Sequence, residues 1–192
     1  MPDHAGSYAY PIAVIMQDND PQEVEMALWH AITILRARGL EVGGFVQKRG
    51  RLRSDGRYEM YVHDLTDGSL VRLDRYRGAG ARACTLDMDA MGTIAVTLRT
   101  RIEQDPDVLF INRFGVREAE GGGLRTEIAE AICRGIPVVV VVSRNHLPAW
   151  EAFIGQDHAA PVLPPRSASL LDWAHLYVRS RAERLPEERY AE

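Results

Sequence analysis

Residues 107–150 read DVLFINRFGVREAEGGGLRTEIAEAICRGIPVVVVVSRNHLPAW, and this stretch decides the fold. It opens on an apolar run at 107–112 and passes through a polar loop holding Gly121, Gly122 and Gly123. Ile128, Ala131 and Ile132 then share one helical face, and Gly135 closes that helix. Residues 136–142 return to a continuous run of branched apolar side chains. Two strands that are apolar throughout, joined by a helix, make a βαβ unit of a parallel sheet buried on both faces. In open sheets of this kind, ligands bind beyond the carboxyl ends of the strands. The loop 113–125 is therefore the first place to look for function.

The same alternation extends in both directions. Residues 11–16 (PIAVIM) read as a buried strand. Asp20 caps the next helix, Pro21 opens it, and Glu23 stands three residues after the cap. Val24, Ala27, Leu28, Ala31, Ile32 and Leu35 recur on its core face, and Gly39 ends it. A second strand covers 42–47, followed by a polar, turn-rich stretch at 48–57. Residues 58–64 and 69–73 read as hairpin arms around Thr66, Asp67 and Gly68. An irregular basic segment leads to a helix marked by Met88, Met91, Ala95, Leu98 and Ile102 and opened by Asp87 or Asp89. A short helix at 148–153, a proline-flanked edge strand at 161–163 and a last helix from Ser167 or Ser169 to about residue 183 complete the pattern. The expected class is α/β: a parallel-rich sheet with helices on both faces and a β-hairpin insertion. The expected organisation is one domain over 1–192, with a core at 11–153 and a C-terminal helix and tail at 154–192.

Composition narrows the classes of function. A chain of 192 residues suits one domain by the usual prior of about 100–200 residues. A net charge of −4 gives no general pull toward nucleic acid or an anionic membrane. The longest apolar run, 136–142, is far short of a membrane span, and MPDHAGSYAY has no basic-then-apolar leader pattern. Cys84 and Cys133 form no CxxC and read as reduced thiols. The expectation is a cytoplasmic protein with neither nucleic acid nor membrane as partner, with a homo-oligomer left open. The histidines, 4, 30, 63, 146, 158 and 175, show no HxH or HExxH spacing, so a zinc site is unsupported.

The candidate site residues fall in several loops. Arg113, Arg117 and Arg125 offer bidentate donors to an anion, and Gly121, Gly122 and Gly123 offer backbone N–H groups near a helix start. Glu118 and Glu120 would orient the arginines or hold a metal, with Asn112, Gly115 and Gln47 as further contacts. The competing reading is a solvated loop with surface ion pairs, which contribute little. Arg77, Gly78, Gly80 and Arg82 would form a covering loop. Ser143 follows the strongest strand and is a ligand contact, since no GxSxG elbow makes it a nucleophile. Between the first strand and first helix stands MQDNDPQEVEMA, without glycine, lysine, serine or threonine. A Walker A loop, GxxxxGKS or GxxxxGKT, needs all of those features to wrap phosphate. Asp20 there reads as a cap, and Asp18 is freer to meet a metal ion or a sugar hydroxyl.

The stretch FINRFGVREAEGGGLRTEIAEAICRGIPVVVVV resembles the signature of an uncharacterised bacterial family of P-loop-related proteins. AVIMQDND, GLEVGGFVQ, HDLTDGS and GAGARACTLD match that family's remaining blocks in order, so the resemblance covers roughly residues 11–153. The family is similar to thermophilic-type nucleoside triphosphatases, which implies a RecA-like P-loop architecture. In those enzymes an acidic Walker B pair ends a later strand; here Asn112 and Arg113 stand at that place. The resemblance thus implies a degenerate P-loop, and members often lie beside molybdate-uptake genes. The leading expectation is an oxyanion- or nucleotide-binding protein without a functional Walker A loop and with a link to molybdate. The alternative is a nucleoside-triphosphate-dependent enzyme, with Mg2+ held by Asp18 and Glu118 or Glu120. A third is a docking protein whose arginine loop meets an acidic partner. No catalytic residue is assigned, and Mg2+ is expected only with a nucleotide.

Overall fold

A computed structural model describes residues 11–18, 21–54, 56–75, 86–155 and 160–184, with side chains as far as Tyr177. Its first strand, β1 (Ile12–Gln17), is followed after residues 18–20 by α1 (Pro21–Ala37). Then come β2 (Val42–Leu52), β3 (Tyr58–Asp64), β4 (Leu70–Arg72) and α2 (Met88–Glu103). The decisive stretch gives β5 (Val108–Phe114), a single turn α3 (Val116–Ala119), α4 (Arg125–Cys133) and β6 (Val138–Ser143). A 3-10 turn at Arg144–His146 leads to α5 (Leu147–Ile154), β7 (Val162–Leu163) and α6 (Ser167–Arg184). These strands form one 7-stranded sheet in the order β4-β3-β2-β5-β6-β1-β7.

Strands β2, β5, β6, β1 and β7 run parallel. β3 and β4 add antiparallel pairing at the β2 edge. The sheet is clothed on both faces. Ile94, Leu98 and Ile102 of α2, Ile128 and Ala131 of α4 and Trp150 of α5 pack with Val138, Val140 and Val142 on one face. Leu28, Ile32 and Leu35 of α1 and Trp173 of α6 pack with Val139 and Val141 on the other. The α/β class and the two-sided helical cover are those that the alternating pattern implies. Among the described residues no helix is long and apolar enough to cross a membrane.

Two elements differ from the sequence reading. Residues 48–57 are not simply a polar turn: β2 continues to Leu52 and pairs antiparallel with β3 from Phe45↔Asp64 to Leu52↔Tyr58. Beyond Gln47 the strand leaves the helical cover, so Lys48, Arg49 and Arg51 face solvent and hydrophobic periodicity vanishes while backbone pairing persists. The hairpin insertion is consequently a three-strand meander. The turn α3 also interrupts what reads as a single loop before α4.

Gly44 marks the closest approach of β2 to β5. Its φ is +95°, and a Cβ there would lie 2.1 Å from the Phe110 carbonyl oxygen. Gly92, on the exposed side of α2, has nothing within 4 Å of its missing Cβ. Gly44→Ala is expected to cost about 2–4 kcal/mol. Gly92→Ala is expected to gain about 0.5–1 kcal/mol. Urea unfolding of the two variants checks both signs.

Candidate functional site

The carboxyl ends of β1 and β5, and the middle of β2 just past its pairing with β5, bring Gln17, Gln47, Asn112 and Arg113 to one place. The reason begins in the core. Phe114 is fully buried, with its ring 5.3 Å from Trp150 and 5.8 Å from Phe153. The β5–β6 register shifts between Asn112 and Phe114, leaving Arg113 exposed while its neighbour is anchored. Arg113 Nη1 donates to Gln17 Oε1 at 3.4 Å. Gln47 and Asn112 are half-buried, and among the described residues neither carboxamide makes a hydrogen bond. Half-buried amides with unused donors and acceptors suit a polar ligand.

These residues line a cavity of about 350 Å³ together with Glu25, Arg49, Arg53, Arg57 and Tyr58. Arg53 is bonded to the buried Asp74 carboxylate, and the Arg49 guanidinium lies 4.6 Å from the Tyr58 ring centre. Burial pushes Asp74 up, but the Met60 N–H at 2.9 Å and the charges of Arg72 and Arg53 outweigh it and hold the acid below its ordinary value. Burial raises Glu25 above the ordinary glutamate value despite Lys48 and Arg49. A second cavity of about 440 Å³ shares Gln47, Met60, Asn112 and Arg113 and continues inward between Phe45, Val62, Met91 and Ile94.

The loop after β5 is organised around Glu118, which is only 4% exposed. Its Oε2 accepts from the Gly115 N–H at 2.9 Å and its Oε1 from the Leu124 N–H at 3.0 Å. A Cβ on Gly123 would stand 2.0 Å from Oε1, so this glycine makes room for the carboxylate. The Gly121 N–H donates to the Glu118 carbonyl at 3.1 Å and the Gly122 N–H to the Arg117 carbonyl at 2.9 Å.

Several sequence expectations are corrected by this geometry. The amides of Gly121 and Gly122 serve their own turn rather than an outside anion, and Gly123 is fixed by Glu118. Glu118 gives both oxygens to backbone amides. Arg113 and Arg117 line one cavity, and Arg125 is not among its lining residues. Arg117 turns to Glu120 at 3.5 Å and to the Met88 sulfur at 2.9 Å. Arg125 donates to the Glu118 carbonyl at 3.1 Å and stacks 4.3 Å from the Phe153 ring centre. Gly115, Arg117, Glu118 and Glu120 line the inner cavity, beside Asn112 and Arg113. Ser143 is the register partner of Gln17 and lines a neighbouring hollow of about 340 Å³ with Gln17, Asp18, Arg144 and Asn145. There Arg144 grips Asp18 through Nε at 2.7 Å and Nη2 at 3.0 Å, and that bond holds the Asp18 carboxyl below its usual range. Among the described residues no group of His, Cys, Asp and Glu is arranged to hold a metal. Arg77, Gly78, Gly80 and Arg82 lie outside the described residues.

Sequence reasoning missed Gln17, Glu25, Arg49, Arg57 and Arg144. Gln17 ends β1 and Arg144 follows β6, so asking which polar residues close those two paired strands finds both. The basic residues of β2 carry no such signal, because hydrophobic periodicity stops at Gln47.

The fold defines the class. A human cancer-related nucleoside triphosphatase superposes with a TM-score of 0.58 at 15% identity, covering 92% of this chain and 98% of that one. THEP1 from the hyperthermophile Aquifex aeolicus gives a TM-score of 0.57 at 10% identity, covering 91% and 99%. The chain thus has the P-loop nucleoside triphosphatase fold. It belongs to the family described as "Protein of unknown function (DUF2478)", which it matches over residues 12–173. It is also 34% identical over 163 residues to the molybdenum import ATP-binding protein ModC 2 of Bradyrhizobium diazoefficiens. That match takes in 79% of this chain but only 18% of the relative, so the chain spans less than a fifth of its length.

Glu118→Ala leaves two buried amides without an acceptor, which is expected to cost about 2–4 kcal/mol. Glu118→Gln keeps one acceptor oxygen and should cost less. Hydrogen exchange should accelerate at the Gly115 and Leu124 amides in both variants, and unchanged protection would show that the carboxylate does not hold the loop.

Proposed function

We propose that this chain binds a tetrahedral oxyanion at the carboxyl end of its sheet, between Gln17, Gln47, Asn112 and Arg113. The observation that carries the reading is a pair of half-buried carboxamides that find no hydrogen-bond partner among the described residues, beside an exposed guanidinium. Carboxamide N–H groups and a guanidinium fork give neutral and charged donors to several oxygens at once. Arg49, Arg53 and Arg57 add positive potential on the same cavity wall. Molybdate is the candidate that the name of the ModC 2 relative supports, and sulfate and phosphate share its shape and charge.

The reading includes the loss of a working Walker A loop. Residues 18–20 alone separate β1 from α1, and the sequence there supplies no glycine or lysine to wrap a phosphate chain. The fold itself favours a second reading, a nucleoside-triphosphate-dependent enzyme with Mg2+. Against it, Glu118 is committed to backbone amides and Asp18 to Arg144. Phosphate release from ATP or GTP with Mg2+ or Mn2+, abolished in Asp18→Ala, would select that second reading.

Titration calorimetry with molybdate, tungstate, sulfate and phosphate tests the first. Arg113→Ala is expected to weaken binding at least tenfold, about 1.4 kcal/mol. Silence of the native protein with all four anions, or equal affinity in the variant, refutes the site.

A pH dependence also follows. Glu25 shares the cavity, and its acid is raised above the ordinary value, so an anion favours its protonated form. Sulfate affinity should therefore rise as pH falls toward and through that raised value. Glu25→Gln should bind more tightly at pH 7 and lose this dependence; calorimetry across pH reads both.

A further inference from the structure

Met60, Gln47, Asn112 and Arg113 line both cavities, the polar one beside Val24 and Glu25 of α1 and the inner one beside Met91 and Ile94 of α2. Those helices cover opposite faces of the sheet, so the same guanidinium and carboxamides border a separate space on each side. The inner space has a mixed lining. Its apolar walls include Phe45, Met60, Leu73, Met91, Ile94 and Ile111, and Arg117, Glu118 and Glu120 join Gln47, Asn112 and Arg113 on its polar side. Its volume, about 440 Å³, falls in the range of roughly 300–1,000 Å³ typical of small-molecule sites. A bare inorganic anion would sit at the rim and leave this chamber unfilled, with its walls lacking contact partners on one side.

We infer that the site takes an organic oxyanion, a phosphate monoester whose head lies at Arg113 and the carboxamides and whose aromatic body fills the apolar chamber. This rests on the oxyanion reading and sharpens it. The aromatic wall of Phe45 and the thioethers of Met60 and Met91 suit a flat ring, since sulfur and ring edges both pack well against one. The Arg113 guanidinium and the carboxamides of β2 and β5 fix the ligand's direction: charge toward β2 and β5, ring toward the apolar side chains of α2.

Calorimetry and fluorescence with 1-naphthyl phosphate, 1-naphthol and inorganic phosphate separate the parts. The ester is expected to bind at least tenfold more tightly than either inorganic phosphate or naphthol, with a blue-shifted naphthyl emission. Met91→Gln, or Met91→Ala if the first does not fold, should remove most of that gain and leave inorganic phosphate binding unchanged. Arg113→Ala should weaken both phosphate ligands. An ester no tighter than inorganic phosphate, or a gain that survives the methionine variant, overturns the inference while leaving the oxyanion site standing. Naphthol binding as tightly as its ester overturns it as well. No binding by any phosphate ligand removes the oxyanion reading and this inference with it.

Discussion

The constraint on which the rest depends is the burial of β5 and β6 on both faces. Leu109, Phe110 and Ile111, like Val138 through Val142, are at most 1% exposed. Each such side chain contributes roughly 1.5–3 kcal/mol when fully buried. A charged or amide group placed among them would lose water without gaining a partner. Polar side chains are therefore pushed to where the two-sided cover ends, and Gln17, Gln47, Asn112 and Ser143 all stand there. The same close packing demands a glycine at position 44, where β2 meets the Phe110 carbonyl.

The turn of chain after β5 shows how one buried carboxylate can organise a loop. Glu118 supplies acceptors to Gly115 and Leu124, which lie on either side of the glycine run. A charge-assisted bond to a backbone amide is stronger than a neutral one, and the buried charge needs both. The glycines that resemble an anion cradle are in fact spent on the loop's own closure. In the proposed site the cradle stands instead on β1, β2 and β5, where carboxamides replace backbone amides.

Much of this fold is legible in the residues. The valines of β6 and the branched run of β1 announce buried strands, and Asp87 caps α2 by accepting from the Asp89 and Ala90 amides. The proline-flanked β7 is the edge strand that its composition implies. The outer half of β2 was not legible, because periodicity reports burial and this segment has little. The site was legible in location but only partly in its members. Arginine and glutamate advertise charge, yet nothing in the residue type says whether Arg125 will face a ligand or lie on Phe153. Glu118 did carry a signal: it stands three residues after Gly115 at a helix start, the spacing of a capping acid.

The proposed oxyanion site lies between Gln17, Gln47, Asn112 and Arg113. The most direct measurement is anomalous X-ray scattering from crystals grown with tungstate, which locates the heavy centre without assumption. One dominant peak is expected within hydrogen-bonding reach of the Arg113 guanidinium and the Gln47 and Asn112 carboxamides. A peak over glycines 121–123, or one confined to the hollow of Asp18 and Arg144, would contradict it.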